Sequence, residues 1–260
     1  MKIVVCLKQV PHQDARLEVR PDGTWIQEDN LKFEINSYDT YALEEALRMK
    51  DSGGADVVVI AIGPDRVTQS LRTALGMGAD RAIHVNDPKT QGSDALSIAK
   101  ILAAIVAAEK PDLVFTGLMS DDGNFAAVGP MLAELTGMPH TTAVMKVEQK
   151  NDAVRAEREL EGGALEVVEL TRPCLLAVQT GINQVRYASL KGIMAAKKKP
   201  IETKTLAELG LADSISAETS KVKIEKIYSP PKGESAEILS GSTDAVVQGL
   251  VAKIKELGLL

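Results

Sequence analysis

The chain has 260 residues, with 30 lysines and arginines against 36 aspartates and glutamates, and a formal net charge of −6 at pH 7. This length suits one large α/β domain with an appendage, and the mild acidity argues against a nucleic-acid partner. Cys6 and Cys174 both lie in apolar runs, which excludes a disulfide framework and a zinc cluster. No apolar run has the length of a membrane span, and the first predicted strand leaves no room for a targeting peptide. We therefore expect a cytoplasmic protein without membrane insertion.

Short apolar, β-branched runs alternate with helical patterns in the first half of the chain. Buried strands are predicted at 3–7, 57–62, 82–85 and 113–116. Between them apolar residues recur every three or four positions, as in helices, and in the first helix Glu44 is placed to pair with Arg48. A further helix is predicted to begin near Phe125. This alternation predicts an α/β fold with an open, mainly parallel sheet and helices on both faces.

The pattern changes to antiparallel strands between residues 142 and 180. A strand, a Glu161-Gly162-Gly163 turn and a return strand at 165–170 predict a β-hairpin. Residues 190–242 are too poor in apolar runs to bury a core, and a final amphipathic helix is predicted at 244–257. We therefore expect an α/β domain at 1–189 and, at 190–260, an extended arm that packs on another polypeptide. A partly disordered tail is the alternative.

One loop has the composition of a phosphate-binding site. Neither a Gly-x-Gly-x-x-Gly fingerprint nor a Walker loop is present in the sequence. Residues 117–124, which include Gly117 and Gly123, follow a predicted strand and precede a predicted helix. In open parallel sheets, ligands bind beyond the carboxyl ends of the strands, where helix N-termini present N–H groups. The loop is therefore either a phosphate cradle or a connection with an aspartate cap.

No pattern of catalytic side chains accompanies this loop. His12, His84 and His140 lack metal-type spacing, and each is expected to be a hydrogen-bonded or surface histidine. The sequence contains no recognisable nucleophile with a base and an orienting group. It therefore indicates a protein without acid–base catalysis of its own, in which a bound cofactor carries the chemistry.

An ordered set of residues around the predicted hairpin is not explained by strand periodicity. It comprises Ala156, Arg158, Glu161, Gly162, Gly163, Glu166, Val168, Pro173 and the run 175–177. This set resembles the signature segment of the beta (small) subunit of electron-transfer flavoproteins. Further segments resemble landmarks of that family, at 2–11, 36–46, 72–81, 186–190 and 195–199. The similarity covers residues 1–211 through specific motifs and 212–260 only through a general pattern.

The resemblance implies a Rossmann-like fold with an adenine-nucleotide pocket. The implied pocket residues are Cys6, Asn36, Ser37, Tyr38, Asp39, Ile62, Gly63, Gly117, Asp121, Asp122, Gly123, Asn124, Phe125, Ala126, Ala127 and Val128. In the family the loop at 117–128 holds the nucleotide phosphate, and Cys6 and Ile62 would provide walls for the adenine. Leu118 and Met119 stand where many members carry a cation and a glutamine, and Asn124 where an aspartate is frequent. These departures leave the identity of the nucleotide open between AMP and a second FAD.

A second implied site lies near residue 190. The implied partner-recognition residues are Leu190, Met194, Lys197, Lys198 and Lys199. Leu190 matches the leucine that, in the family, anchors in an apolar pocket of the partner dehydrogenase. The lysines would steer the encounter with an acidic partner.

The function implied by the resemblance is that of the small subunit of a heterodimeric electron-transfer flavoprotein. Such a subunit binds AMP structurally and covers part of an FAD that the alpha (large) subunit mainly holds. It accepts electrons from flavin-containing dehydrogenases and passes them to a downstream quinone-linked acceptor. An aromatic content of only 3% agrees with a subunit that does not enclose a flavin by itself. Tyr38 matches a family aromatic that approaches the flavin, whereas Gln13 departs from the other such position.

Two alternatives to this function remain open. One is a bifurcating electron-transfer flavoprotein subunit, with a second FAD in place of AMP. The other is a non-redox signalling module that binds a nucleotide on the same type of α/β fold. The signature hairpin and residues 190–200 argue against the signalling module, because a self-contained domain needs neither.

Overall fold

A computed structural model describes residues 1–231, 233 and 236–260. Residues 232, 234 and 235 of the predicted arm lie outside the described residues. The described chain forms two compact units. The first comprises Met1–Glu18 with Gln27–Glu225, and the second comprises Val19–Ile26 with Lys226–Leu260.

The first unit contains a sheet covered by helices. Its strands are β1 Lys2–Leu7, β2 Gln9–Pro11, β3 Phe33–Ile35, β4 Asp56–Ile62, β5 Arg81–Val85, β6 Leu113–Gly117, β7 His140–Gln149, β8 Ala153–Glu159, β9 Leu165–Thr171, β10 Cys174–Val178 and β11 Ile201–Lys204. Its helices are α1 Ser37–Gly53, α2 Val67–Met77, α3 Ala95–Glu109, α4 Val128–Thr136 and α5 Leu190–Ala196, with short 3₁₀ turns at Pro88–Thr90 and Glu161–Gly163.

Nine of these strands form one sheet, in the order β11-β5-β4-β1-β6-β10-β7-β8-β9. Neighbouring strands are parallel from β11 to β7, and β7, β8 and β9 are antiparallel. β2 and β3 form a separate antiparallel pair. The predicted α/β fold, with a mainly parallel sheet and an antiparallel hairpin, is confirmed.

The two faces of the parallel region are buried under different helices. Successive residues of a strand point to opposite faces, so β1 supplies both layers. Val5 belongs to the layer that includes Leu43 of α1, and Val4 to the layer that includes Ile101 of α3 and Leu132 of α4. All of these side chains are fully buried. This two-sided cover explains why central strands such as β1 and β4 are continuous apolar runs in the sequence.

β10 differs from the antiparallel pattern predicted for residues 142–180. It lies between β6 and β7 and is parallel to both. Every residue of Cys174–Val178 is buried, which is the environment of a central strand covered on both faces. The antiparallel prediction holds for β7, β8 and β9 and was wrong for β10.

The C-terminal part of the chain also divides differently from the predicted boundary at 189/190. β11 pairs with β5 as an edge strand of the main sheet. Leu206 and Ile215 are fully buried in the layer that contains α3. Residues 190–225 therefore belong to the first unit, because β11 pairs with the main sheet and Leu206 and Ile215 are buried in its core.

The second unit is small and carries the predicted terminal helix, α6 Thr243–Glu256. Ile227 donates its N–H to the carbonyl of Gly23 over 2.8 Å, which joins the two segments of this unit. No residue of α6 is buried, and Val247 and Leu250 are both at least half exposed. No helix among the described residues is long and apolar enough to cross a membrane.

Candidate functional site

The predicted pocket residues lie at the carboxyl ends of three neighbouring strands. β4, β1 and β6 are adjacent in the sheet and end at Ile62, Leu7 and Gly117. The N-terminus of α1 and the loop at 118–127 meet at the same edge, joined by the hydrogen bonds described below. This is the position at which open α/β sheets bind their ligands.

Asp39 joins the ends of β1 and β6. Its two carboxylate oxygens accept the backbone N–H groups of Lys8, at 2.7 Å, and Gly117, at 3.0 Å. Burial raises the pKa of Asp39 to about 7, although these hydrogen bonds oppose the rise. Gly117 is required at this junction, because a β-carbon there would lie 2.6 Å from Cβ of Tyr38. The first turn of α1 is therefore packed directly onto the ends of the strands.

Asp39→Asn is expected to change the pH dependence of stability. The unfolded carboxyl has a pKa of about 3.9, whereas the folded one is raised to about 7. Between these values the folded state holds a proton that the unfolded state has released, so the contribution of Asp39 is full at the acid end and is lost as the pH rises. In urea titrations, the unfolding free energy of the wild type minus that of the variant should fall as the pH is raised from about 4 to about 7. A constant or rising difference would refute the raised pKa.

The loop after β6 is tied to α1 by side chains of the predicted pocket. Asn36 donates its amide to the carbonyl of Met119 and accepts the N–H of Asp121, both over 2.9 Å. Asp121 in turn accepts the N–H and the hydroxyl of Ser37, at 2.9 and 2.7 Å. The carboxylate of Asp121 therefore occupies the N-terminus of α1, where the helix dipole favours a negative charge.

Lys8 is a residue of this site that the sequence analysis missed. Its ammonium lies 2.6 Å from the carboxylate of Asp122 and 3.2 Å from the hydroxyl of Ser120. Leu118 and Met119 provide no cation after Gly117, and Lys8 brings one to the loop from the end of β1. The available signal was its position immediately after the first strand.

The last part of the loop leads into an uncapped helix. Asn124 and Ala126 have positive φ values of 53° and 50°, which prevents a helix from starting at Phe125 as predicted; α4 begins at Val128. No side chain among the described residues caps the N-terminus of α4. The hydroxyl of Thr116, at the end of β6, is buried and has no hydrogen-bond partner in the part of the chain that the structure describes. It faces the first turn of α4, 2.8 Å from where a β-carbon of Gly129 would be.

These features fit a phosphate. The N-terminus of a helix presents backbone N–H groups and a positive dipole end to an anion. Gly123 leaves space beside Ser120, whose hydroxyl is the nearest atom to a β-carbon built there, at 3.1 Å. The exposed acidic side chains of the loop are turned to Ser37 and Lys8.

Cys6, Ile62 and Gly63, which were also predicted to belong to the pocket, lie at the carboxyl ends of β1 and β4 and provide no reactive group. Burial, and secondarily the charge of Asp39, raise the pKa of the Cys6 thiol, so the thiol is neutral and unsuited to nucleophilic chemistry. Ile62 is half-buried at the end of β4. His84 is buried, and its Nε2 lies 2.8 Å from the carbonyl of Gly63, which agrees with the structural role predicted for this histidine.

The predicted recognition residues lie on α5 and on the three positions that follow it. Ser189 caps this helix by accepting the N–H of Gly192 over 3.0 Å. Leu190 and Met194 are 83% and 72% exposed. Lys197 and Lys198 are also exposed, whereas Lys199 is half-buried and directs its ammonium to carbonyls of this chain. Lys199 is therefore not available to steer a partner.

Arg186 anchors the chain just before this surface. Its Nε and Nη2 donate to the two carboxylate oxygens of Glu44, at 2.8 and 3.0 Å, and its Nη1 lies 2.9 Å from the carboxylate of Asp51. The expected pairing of Glu44 with Arg48 was wrong, because Glu44 points into the protein and Arg48 contacts Glu45 instead. A planar guanidinium that meets both oxygens holds its partner in one orientation.

A family profile described as "Electron transfer flavoprotein domain" matches residues 23–209, more than half of the chain. The chain belongs to the electron transfer flavoprotein family. It is 40% identical to the "Electron transfer flavoprotein subunit beta" of Methylophilus methylotrophus, over 98% of both chains. The protein of the same name in Bacillus subtilis (strain 168) is 37% identical, with 98% of each chain covered. The human protein of that name is 33% identical, over 99% of this chain and 98% of the human one.

The hairpin residues on which the family resemblance was based have identifiable structural roles. Arg158 and Glu166 face each other across β8 and β9, with 3.0 Å between guanidinium and carboxylate. Arg158 also donates to the carbonyl of Thr142 at 3.0 Å, which ties the hairpin to β7. Gly162 and Gly163 have φ values of 75° and 79° at the turn, a conformation that favours glycine.

Proposed function

We propose that this member of the electron transfer flavoprotein family acts as the small subunit of a heterodimer and binds one AMP structurally. The heterodimer would share one FAD, held mainly by the alpha (large) subunit, and would carry electrons from flavin-containing dehydrogenases to a quinone-linked acceptor. The bound flavin would supply the redox chemistry, and this chain would contribute binding and orientation. The buried, free Cys6 and Cys174 suit a reducing cytoplasm.

The nucleotide part of the proposal depends mainly on the uncapped N-terminus of α4. It follows the loop at 118–127, and the unpartnered hydroxyl of Thr116 lies under its first turn. A phosphate at this position would accept backbone N–H groups and meet the positive end of the helix. The neighbouring N-terminus of α1 is already filled by Asp121, so of the two helices that meet this loop, α4 is the one with its N-terminus open to an anion. This arrangement supports a single nucleotide phosphate rather than catalysis.

The large-subunit part of the proposal is supported by the second unit. Val247, Leu250 and Leu257 are at least half exposed although they lie in or next to the amphipathic helix α6. Apolar surface of this kind marks an interaction site. The large subunit is the partner that would cover it.

The docking part of the proposal is supported by α5. Tyr187, Leu190 and Met194 are largely exposed, at 97%, 83% and 72%. Lys197 and Lys198 are exposed at the end of the same helix. This combination fits a dehydrogenase that offers an apolar pocket with an acidic rim, since complementary charge speeds encounter while the apolar anchor provides affinity.

The nucleotide content of the purified heterodimer tests the proposal. The chain should be co-expressed with its large subunit, and acid extraction followed by chromatography should give one AMP and one FAD per heterodimer. Gly123→Val should lose most of the AMP and keep the FAD, because a β-branched side chain would press on Ser120 and displace the loop. Gly53→Val is the matched control, because a β-carbon at Gly53 meets nothing within 4 Å.

The other functions give different contents. Two FADs without AMP would replace the proposal with the bifurcating type. A stable chain that binds a nucleotide but no flavin and no large subunit would favour the signalling module.

A further inference from the structure

Helix α5 is held on α2 by a backbone contact and by two basic side chains. Arg72 of α2 donates to carbonyls at the end of α5, and Lys199, after α5, donates to carbonyls at the end of α2. We propose that Arg72 of α2 is a positioning residue that keeps α5 preformed for docking to the dehydrogenase. This inference rests on the proposed docking function of Leu190. It assigns a task to residues that touch neither the nucleotide site nor the exposed face of α5.

The first contact is between two glycines. A β-carbon on Gly192 would overlap the carbonyl of Gly76, so these helices meet backbone to backbone. A β-carbon on Gly76 would lie 3.3 Å from Cβ of Ala188. A larger side chain at Gly192 would therefore displace α5, and the small residues define where it lies on α2.

The second contact caps the C-terminus of α5. Nη1 of Arg72 donates to the carbonyl of Ala196 at 2.6 Å and to that of Lys199 at 2.7 Å. Carbonyls in the last turn of a helix lack intrahelical donors, and the negative end of the helix dipole attracts a cation. Arg72 is half-buried, so it supplies these carbonyls with a donor at a site that is only partly open to water.

The third contact runs in the opposite direction. The ammonium of Lys199, at the end of α5, donates to the carbonyls of Leu75 and Ala79 at the end of α2. Burial and the nearby ammonium of Lys50 lower the pKa of Lys199. Each helix therefore caps the C-terminus of the other.

These contacts explain how so short a helix can be ordered while its outer face is exposed. α5 has seven residues, and an isolated helix of this length is unstable in water. Docking on a preformed helix avoids the loss of entropy that ordering would bring at the moment of binding. The reciprocal caps thus serve recognition by holding Leu190 and Met194 in fixed positions.

Hydrogen exchange in the co-expressed heterodimer tests the positioning role in the absence of a dehydrogenase. In Arg72→Gln, backbone amides of α5 should exchange at least about tenfold faster, because the charge-assisted hydrogen bonds to the carbonyls of Ala196 and Lys199 are lost. Trypsin should also cleave faster after Lys197. Arg72→Lys should restore most of the protection, because an ammonium can donate to both carbonyls. Arg48→Gln, which removes an exposed guanidinium from α1, should leave α5 unchanged.

Reduction by a purified flavin dehydrogenase, chosen because it reduces the unaltered heterodimer, provides the second measurement. Arg72→Gln should lower the rate about tenfold at sub-saturating concentration and leave the rate at saturation and the cofactor content unchanged. If Arg72→Gln leaves hydrogen exchange of α5 unchanged, the positioning role alone is overturned. The same holds if exchange is faster but the reduction rate of Arg72→Gln is unchanged while that of Leu190→Ala is lowered. An unchanged rate for Leu190→Ala would overturn the docking function together with this inference.

Discussion

Arg186→Met is expected to lower the free energy of unfolding at pH 7 by about 3 kcal/mol, because it leaves a buried carboxylate without its counter-ion. Glu44 has a side chain that is 4% exposed, and Arg186 donates to both of its oxygens. In the variant the backbone N–H of residue 186, at 3.2 Å, is the remaining donor from this segment. A single hydrogen bond does not offset the burial of a charge.

The double variant Glu44→Gln/Arg186→Met separates the loss of the pair from the penalty of an unpaired charge. It should recover most of the lost stability, because the neutral amide needs no counter-ion at this depth. Arg48→Met, on the same helix, removes an exposed guanidinium that lies 3.8 Å from the carboxylate of Glu45. It should change stability by less than about 0.5 kcal/mol, because this long contact is partly open to water and the Glu45 carboxylate keeps the amide of Asn183 as a donor. Urea unfolding of the co-purified complex at one fixed concentration measures all three. Equal losses in the single and the double variant would disprove the unpaired-charge explanation.

The Glu44 pair also illustrates why side-chain partners are harder to predict than elements. On an exposed helix, charges four residues apart are neighbours, and this spacing selected Arg48. Glu44 instead faces the interior and meets Arg186, which is 142 residues away. Local spacing identifies which side chains lie on one face, but only the packed fold shows which segment covers that face.

Strands and helices were predictable because their apolar patterns follow from the layers that cover them. β1 and β4 read as continuous apolar runs, and β5 and β6 as mainly apolar ones, because helices cover both faces of the sheet. β11 has no such run, since it is an edge strand with half-buried and exposed residues. It was therefore missed, and residues 190–225 were expected to form part of a separate arm.

The candidate site was only partly predictable for a related reason. The glycines and aspartates of the loop at 117–124 are neighbours in the sequence, and the strand before them and the helix after them are predictable from local patterns. The loop could therefore be predicted as a candidate site. Lys8 and the uncapped turn before α4 depend on which strand ends lie side by side. The three lysines at 197–199 look equivalent in sequence, yet only Lys199 has its ammonium bonded to buried carbonyls.

Leu190→Ala is expected to give the largest change in partner recognition. Removing an apolar anchor from its pocket costs about 2–4 kcal/mol of binding free energy, as at other buried hot spots. This corresponds to a roughly 30- to 800-fold weaker complex. The fold should not suffer, because the side chain is 83% exposed in this chain and alanine is the better helix former. A large loss of affinity with unchanged stability and cofactor content is the combination that a merely structural leucine does not produce.

Stopped-flow reduction of the heterodimer by the dehydrogenase, at several sub-saturating concentrations, measures this loss. Leu135→Ala is the matched control, because Leu135 is a partly exposed leucine on α4 and lies outside the recognition surface. Lys197→Glu should act differently, by lowering the association rate with a change in its salt dependence, since an exposed charge steers encounter and adds little to the bound state. If the dehydrogenase reduces the Leu190→Ala and Leu135→Ala heterodimers at the same rate, Leu190 is not the anchor. The exposed face of α5 is then not the surface that meets the dehydrogenase.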